Sequence, residues 1–171
     1  MARNIILIGL MGSGKTTLGK YLAGHTGIKF FDTDELIVQK TGKSIQKIFE
    51  DEGQLHFRDL ESEVIAEVSR KSGCVISTGG GAVLRDENID SLKKTGVLFY
   101  LETSAETLWN RVKNDSSRPL LQGKNPAETL AKILTARKPL YRQADFTVNT
   151  EKSLEEIATQ VLQFYSQTSE R

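Results

Sequence analysis

Eight residues near the start of the chain, Gly9-Leu10-Met11-Gly12-Ser13-Gly14-Lys15-Thr16, follow a short apolar run from Ile5 to Ile8 and lead directly into a segment of helical period. Glycines in such a loop let the backbone wrap an anion with its N–H groups turned inward, and the helix starting behind them adds partial positive charge. The run fits the G-x-x-x-x-G-K-[ST] phosphate-binding loop, or P-loop, in the strand-then-helix setting that this pattern requires. Lys15 is expected to bridge the β- and γ-phosphates of ATP and the Thr16 hydroxyl to ligate Mg²⁺, with Gly12, Ser13, Gly14 and Thr17 completing the cradle. A dinucleotide fingerprint fits worse, because G-x-G-x-x-G from Gly12 would need glycine where Thr17 stands. The bland alternative is a glycine-rich turn carrying an exposed lysine.

Behind the loop, short β-branched runs alternate with longer stretches of helical period, the pattern of a parallel sheet covered by helices on both faces. Five strands are expected: Ile5 to Ile8, Lys29 to Asp32, Val75 to Ser77, Val97 to Leu101 and Phe146 to Val148. The first helix should bury Leu18, Tyr21 and Leu22, with Gly19 close to the sheet and Gly24 or Gly27 as its stop. Between the second and third strands two helical segments are expected, Ser44 to Glu50 and Leu55 to Arg70, separated by a break at Gly53. An insertion of this length suggests a substrate-binding subdomain spanning about 34–61. Asn114 to Gln122 is polar and contains Arg118-Pro119, which reads as a mobile loop, a lid over about 112–125. The following helix should start at Asn125 as N-cap with Pro126 behind it, and Pro139 should kink or interrupt it near Arg137.

The chain has 171 residues, within the range of one domain, so residues 1–171 are expected to share a single core. A net charge of +1 without a basic run argues against nucleic acid as a partner. No stretch approaches the length of a membrane span, and the apolar run before Gly9 is too short for a secretory signal, so a cytoplasmic location without membrane contact is expected. The single cysteine, Cys74, fits a reducing compartment and reads as a small core residue. His25 and His56 lack partners at metal-ligand spacing.

A phosphate cradle does not choose the acceptor. Candidates for that task are Asp32-Thr33-Asp34 after the second strand, Phe57-Arg58, Thr78-Gly79-Gly80-Gly81 after the third, Arg118-Pro119-Leu120-Leu121, and Ala136-Arg137 through Tyr141. Each has a plainer reading. Asp34 could cap the next helix while Asp32 merely ends a strand, and Arg58 could be a solvated residue paired with Glu61 or Ser62. Arg137 could be a surface arginine stacked on Tyr141. Arg111, on the helix carrying Trp109, could equally be solvated.

Taken together, in this order and at this spacing beside a P-loop, these segments resemble the shikimate kinase family over nearly the whole chain. The resemblance implies a three-layer α/β/α P-loop NTPase fold, like that of nucleoside monophosphate kinases, with a five-stranded parallel sheet in the order 2-3-1-4-5. It implies transfer of the ATP γ-phosphoryl group to the 3-hydroxyl of shikimate in aromatic amino acid biosynthesis by a monomer. Asp34 would bind the acceptor hydroxyls and orient or deprotonate the attacking one, and Asp32 would contact Mg²⁺ through water. Arg58, Arg137 and Gly79 to Gly81 would bind shikimate, Arg111 the nucleotide, and Arg118 would act catalytically from the lid. A carboxylate and several hydroxyls on the acceptor call for cations and a hydroxyl acceptor, which Arg58, Arg137 and Asp34 supply. The chain departs from the family where Gly53-Gln54 and His56 replace a Gly-Glu pair and a small residue, so weaker support for Arg58 is expected. Two other functions remain open here: a kinase for another polyhydroxy acid such as gluconate, and a non-catalytic nucleotide or shikimate sensor.

Overall fold

The computed structural model describes residues 2–115, 121 and 123–169. The five strands are β1 (Asn4–Ile8), β2 (Lys29–Asp32), β3 (Cys74–Ser77), β4 (Gly96–Glu102) and β5 (Phe146–Asn149). They form one parallel sheet in the order β2-β3-β1-β4-β5, as the resemblance implies. Helices α1 (Lys15–Thr26), α2 (Thr33–Thr41), α3 (Ile45–Ser69), α4 (Asp86–Thr95), α5 (Ala105–Val112), α6 (Pro126–Tyr141) and α7 (Leu154–Ser169) connect and follow the strands.

Every residue of β1 is buried, and its alternation splits the core in two. Ile5 and Leu7 pack with Leu18 and Leu22 of α1 and with Ile157 and Val161 of α7. Ile6 and Ile8 join Ile65, Leu92, Leu130 and Tyr141 from the helices of the other face. Burial on both faces is why this central parallel strand is apolar from Ile5 to Ile8, the buried Asn4 being satisfied by hydrogen bonds to the Lys71 carbonyl and from the Cys74 N–H. Ile37, Ile48, Phe57 and Val64 form a third, smaller cluster that ties α2 to α3.

Local signals explain most element ends. Gly27, not Gly24, closes α1, its N–H donating to the Ala23 carbonyl at 2.9 Å. Gly19 faces the Phe30 ring so closely that a Cβ there would lie 2.3 Å from the ring, which fits the expected close approach to the sheet. Tyr21 is only partly covered and stacks on His25. The break expected in α3 is present at Gly53, with φ 83° and ψ 171°. Cys74 is buried, donates its thiol to Asn4 Oδ1 at 3.2 Å, and has its pKa raised by desolvation.

Of the two expectations about α6, one holds and one is corrected. Asn125 is the N-cap with Pro126 first in the helix, although its side chain makes no capping hydrogen bond and Thr129 Oγ1 donates to its carbonyl. The helix, however, runs on through Pro139 to Tyr141, and Arg142 N–H still reaches the Lys138 carbonyl at 3.1 Å. Pro139 sits in the last turn, where a missing donor removes one bond, and side chains of that turn are tethered across to Gly80 as described below.

Candidate active site

The P-loop lies between β1 and α1, at the carboxyl edge of the sheet, where parallel sheets bind ligands. Ser13 N–H donates to the Leu10 carbonyl at 3.1 Å, closing the turn. Gly12 has φ 79°, and a Cβ there would stand 2.7 Å from Val112 Cγ1, so both conformation and space require glycine. Lys15 is buried, and its ammonium donates to the carbonyls of Gly9 at 2.8 Å and Leu10 at 3.0 Å. Those contacts hold the cation inside the concavity of the loop.

Thr16, at the start of α1, donates its hydroxyl to Asp32 Oδ2 at 2.7 Å. The other oxygen of Asp32 accepts from the backbone N–H groups of Asp34 at 3.0 Å and Glu35 at 3.3 Å. Asp32 is therefore the N-cap of α2, and the alternative in which Asp34 caps that helix is overturned. The cap falls on Asp32 because α2 starts at Thr33, which places Asp34 inside the first turn with its carboxylate at Gly79.

Gly79, Gly80 and Gly81 follow β3 and pass between carboxylates and guanidinium groups. A Cβ on Gly79 would lie 2.6 Å from Glu61 Oε1 and 2.8 Å from Asp34 Oδ1. One on Gly81 would lie 2.2 Å from Arg58 Nη1. Gly79 and Gly81 thus lie against side chains of α2 and α3, while a Cβ on Gly80 would stand 3.3 Å from the backbone nitrogen of Met11 in the P-loop. Arg58 is buried and donates to Glu61 Oε2 at 2.5 Å, so the solvated reading of Arg58 is overturned. Its carboxylate partner is Glu61 itself, and His56 pairs with Glu52 on the exposed side at 2.8 Å. Arg58 therefore has a carboxylate support that does not depend on residue 54.

Glu61 is fully buried, a functional candidate that the sequence did not single out. Burial pushes its carboxyl above the ordinary range, while Arg58, Arg137 and Arg85 pull the other way. Its Oε1 makes no hydrogen bond among the described residues and faces Gly79.

On the opposite side, Arg137 Nη1 and the Tyr141 hydroxyl both donate to the Gly80 carbonyl, at 3.1 and 2.5 Å. Arg137 is buried, so it is no surface arginine, and Tyr141 stacks on Tyr100 with ring centroids 5.1 Å apart. Burial raises the Tyr141 pKa, keeping the hydroxyl a neutral donor. Tyr141→Phe is expected to cost about 1 kcal/mol in urea denaturation, since one of two donors to a buried carbonyl is lost while the packing survives.

Arg111 of α5 donates to the Gly12 carbonyl at 3.0 Å and to the Thr150 carbonyl at 3.3 Å, joining the P-loop to the segment between β5 and α7. Arg118 lies outside the described residues. A cavity of about 490 Å³ is lined by Gly12 to Thr17, Asp32, Arg111 and the Thr150–Ile157 segment. Beside it lies a cavity of about 80 Å³ walled by Phe49, Phe57, Arg58, Glu61 and Arg137. Met11, Asp34 and Gly80 line both.

A phosphate cradle opening through a shared carboxylate onto a pocket with two buried arginines, in this sheet order, defines a P-loop kinase of small molecules. The family model described as shikimate kinase matches residues 11–166. The shikimate kinase of Thermodesulfovibrio yellowstonii is 46% identical over 168 residues, covering 98% of this chain and 97% of that protein. This chain belongs to the shikimate kinase family. The structure of shikimate kinase from Acinetobacter baumannii in complex with shikimate superposes with a TM-score of 0.94 at 40% identity, covering 98% of this chain and 95% of that one. A gluconokinase from Sinorhizobium meliloti shares the fold alone, with a TM-score of 0.65 at 21% identity over 98% of this chain and 94% of its own.

Proposed function

We propose that this chain transfers the γ-phosphoryl group of ATP to the 3-hydroxyl of shikimate, giving shikimate 3-phosphate and ADP. The observation that carries this reading is Asp34 standing where the phosphate-cradle cavity meets the pocket of Arg58 and Arg137. Two guanidinium groups from different helices suit one carboxylate, and a carboxylate facing the cradle suits a hydroxyl that must attack phosphorus.

In this reading Arg58 and Arg137 hold the shikimate carboxylate and Gly79 to Gly81 let the ring approach the backbone. Asp34 orients the 3-hydroxyl and accepts its proton. A new oxygen–phosphorus bond then forms as the bond from the γ-phosphorus to its bridging oxygen breaks, and ADP leaves with that electron pair. Lys15, Gly12 to Gly14 and Thr17 bind the phosphates, and Arg111 supports the nucleotide side. Arg118 is assigned to a lid over about 112–125, where an arginine would meet charge developing between the substrates. Thr16 and Asp32 are the residues that would hold Mg²⁺, and their paired oxygens fit an ion that keeps water and phosphate as its other ligands. Bound there, Mg²⁺ would neutralise charge on the β- and γ-phosphates.

Residues 34–61 are assigned as the acceptor-binding subdomain, supported by the small cluster of Ile37, Ile48, Phe57 and Val64. In this reading the chain acts as a monomer on ATP and shikimate, without nucleic acid. A cytoplasmic location without a membrane partner belongs to the same proposal; among the described residues no helix is long and apolar enough to cross a membrane. The test is a coupled assay of ADP release with shikimate, with gluconate and with no acceptor. Release that depends on shikimate is expected. Equal rates with gluconate, or nucleotide binding without turnover, would overturn the proposal.

A further inference from the structure

Arg85 belongs to none of the phosphate or acceptor contacts above, yet its side chain reaches back over the helix that carries Arg58. Its guanidinium donates to the Arg58 carbonyl at 3.1 Å, to Ser62 Oγ at 3.2 Å and to Asp59 Oδ1 at 2.7 Å. Those three acceptors lie on one turn of α3. The backbone leading to Arg85 is equally constrained. Ala82 N–H donates to the Gly79 carbonyl at 3.1 Å and Leu84 N–H to the Gly81 carbonyl at 3.0 Å, forming a short 3-10 turn over Ala82–Leu84. Ala82 and Val83 are buried, and the Asn88 side chain donates to the Ala82 carbonyl at 3.0 Å.

We propose that Arg85 is a positioning residue for acceptor binding, fixing the turn of α3 that carries Arg58 at a set distance from Gly79 to Gly81. The segment 79–85 is then a strut, with the acceptor-facing glycines at one end and a three-pronged grip on α3 at the other. The inference rests on the reading of Arg58 as a ligand of the shikimate carboxylate. Geometry gives it force because Arg58 passes so near Gly81 that a change in helix position would close or open the pocket. Fixed position matters for a bidentate cation more than for a point charge.

Charge adds a second effect. The ionisable groups facing Glu61 are Arg58 on its own helix, Arg137 from α6, Arg85 from the strut, and Asp34 from α2 across Gly79. Arg85 is one of the cations that oppose the burial of the Glu61 carboxylate. Without it, Glu61 takes up a proton at higher pH and releases its hold on Arg58.

The test compares Arg85→Ala, Arg85→Lys and Arg58→Ala by steady-state kinetics across pH, with thermal denaturation alongside. Arg85→Ala is expected to raise the KM for shikimate by about fivefold near pH 8 while kcat and the KM for ATP stay within about twofold. The ratio to wild type should grow as the pH falls, and Arg85→Lys, which restores a charge near Glu61, should flatten that growth. An unchanged KM for shikimate in Arg85→Ala, beside a clear rise in Arg58→Ala, overturns the inference. So does a ratio that is constant with pH and not improved by lysine, or a parallel loss of kcat, both KM values and melting temperature, which marks a merely structural residue. If Arg58→Ala leaves the KM for shikimate unchanged, the acceptor reading has failed first and the inference falls with it.

Discussion

Lys15→Ala is expected to lower kcat by about a hundredfold to a thousandfold, the usual cost of removing a preorganised donor from developing charge. The KM for ATP should rise as well, because in the proposed reading the lysine is the cation of the phosphate cradle and would grip ground state and transition state alike. Stability should change little. The ammonium donates to atoms of the loop itself, among them the Gly9 and Leu10 carbonyls, and Lys15 lines the cradle cavity instead of packing in the hydrophobic core. Steady-state kinetics with a thermal melt separates the two effects. A folded Lys15→Ala protein with near-normal turnover would refute the nucleotide assignment.

Asp34→Asn is expected to cut kcat by about a hundredfold or more while the KM for ATP stays near wild type, because a positioned base typically contributes on that order. The structure makes this substitution unusually clean. Asp32 caps α2, so Asp34 can lose its charge without uncapping the helix, and unfolding free energy should move by about 1 kcal/mol or less. An Asp34 side chain with no part in phosphoryl transfer predicts the reverse: kcat intact in Asp34→Asn. Measuring both quantities on one variant decides between them.

The sheet was largely legible because its signal is local. Each strand is a run of apolar residues whose neighbours in sequence already announce burial on two faces, and the P-loop carries its own context with it. Site residues held by distant partners were harder. Arg111 donates to the Gly12 carbonyl, 99 positions away, and nothing near Trp109 distinguishes it from a solvated arginine. Glu61 sits within an apolar stripe of α3, and the i, i+3 spacing to Arg58 was visible. What made the pair buried was the glycine turn arriving from β3, which spacing along one helix does not reveal. Asp32 and Asp34 are equally able to cap, and only the exact first residue of α2 separates them. The break expected at Pro139 is absent for the same kind of reason: local propensity speaks for it, while the contacts of Arg137 and Tyr141 to Gly80 hold the last turn in place.

Met11, Asp34 and Gly80 form a wall common to the two cavities, so the places proposed for nucleotide and acceptor are separated by little more than one layer of side chain and backbone. For inhibitor chemistry this means that a phosphate mimic and a carboxylated ring can be joined by a very short tether. Short tethers give high effective concentrations, so two weak fragments linked across this wall gain affinity without any new contact. A long flexible linker would forfeit most of that advantage.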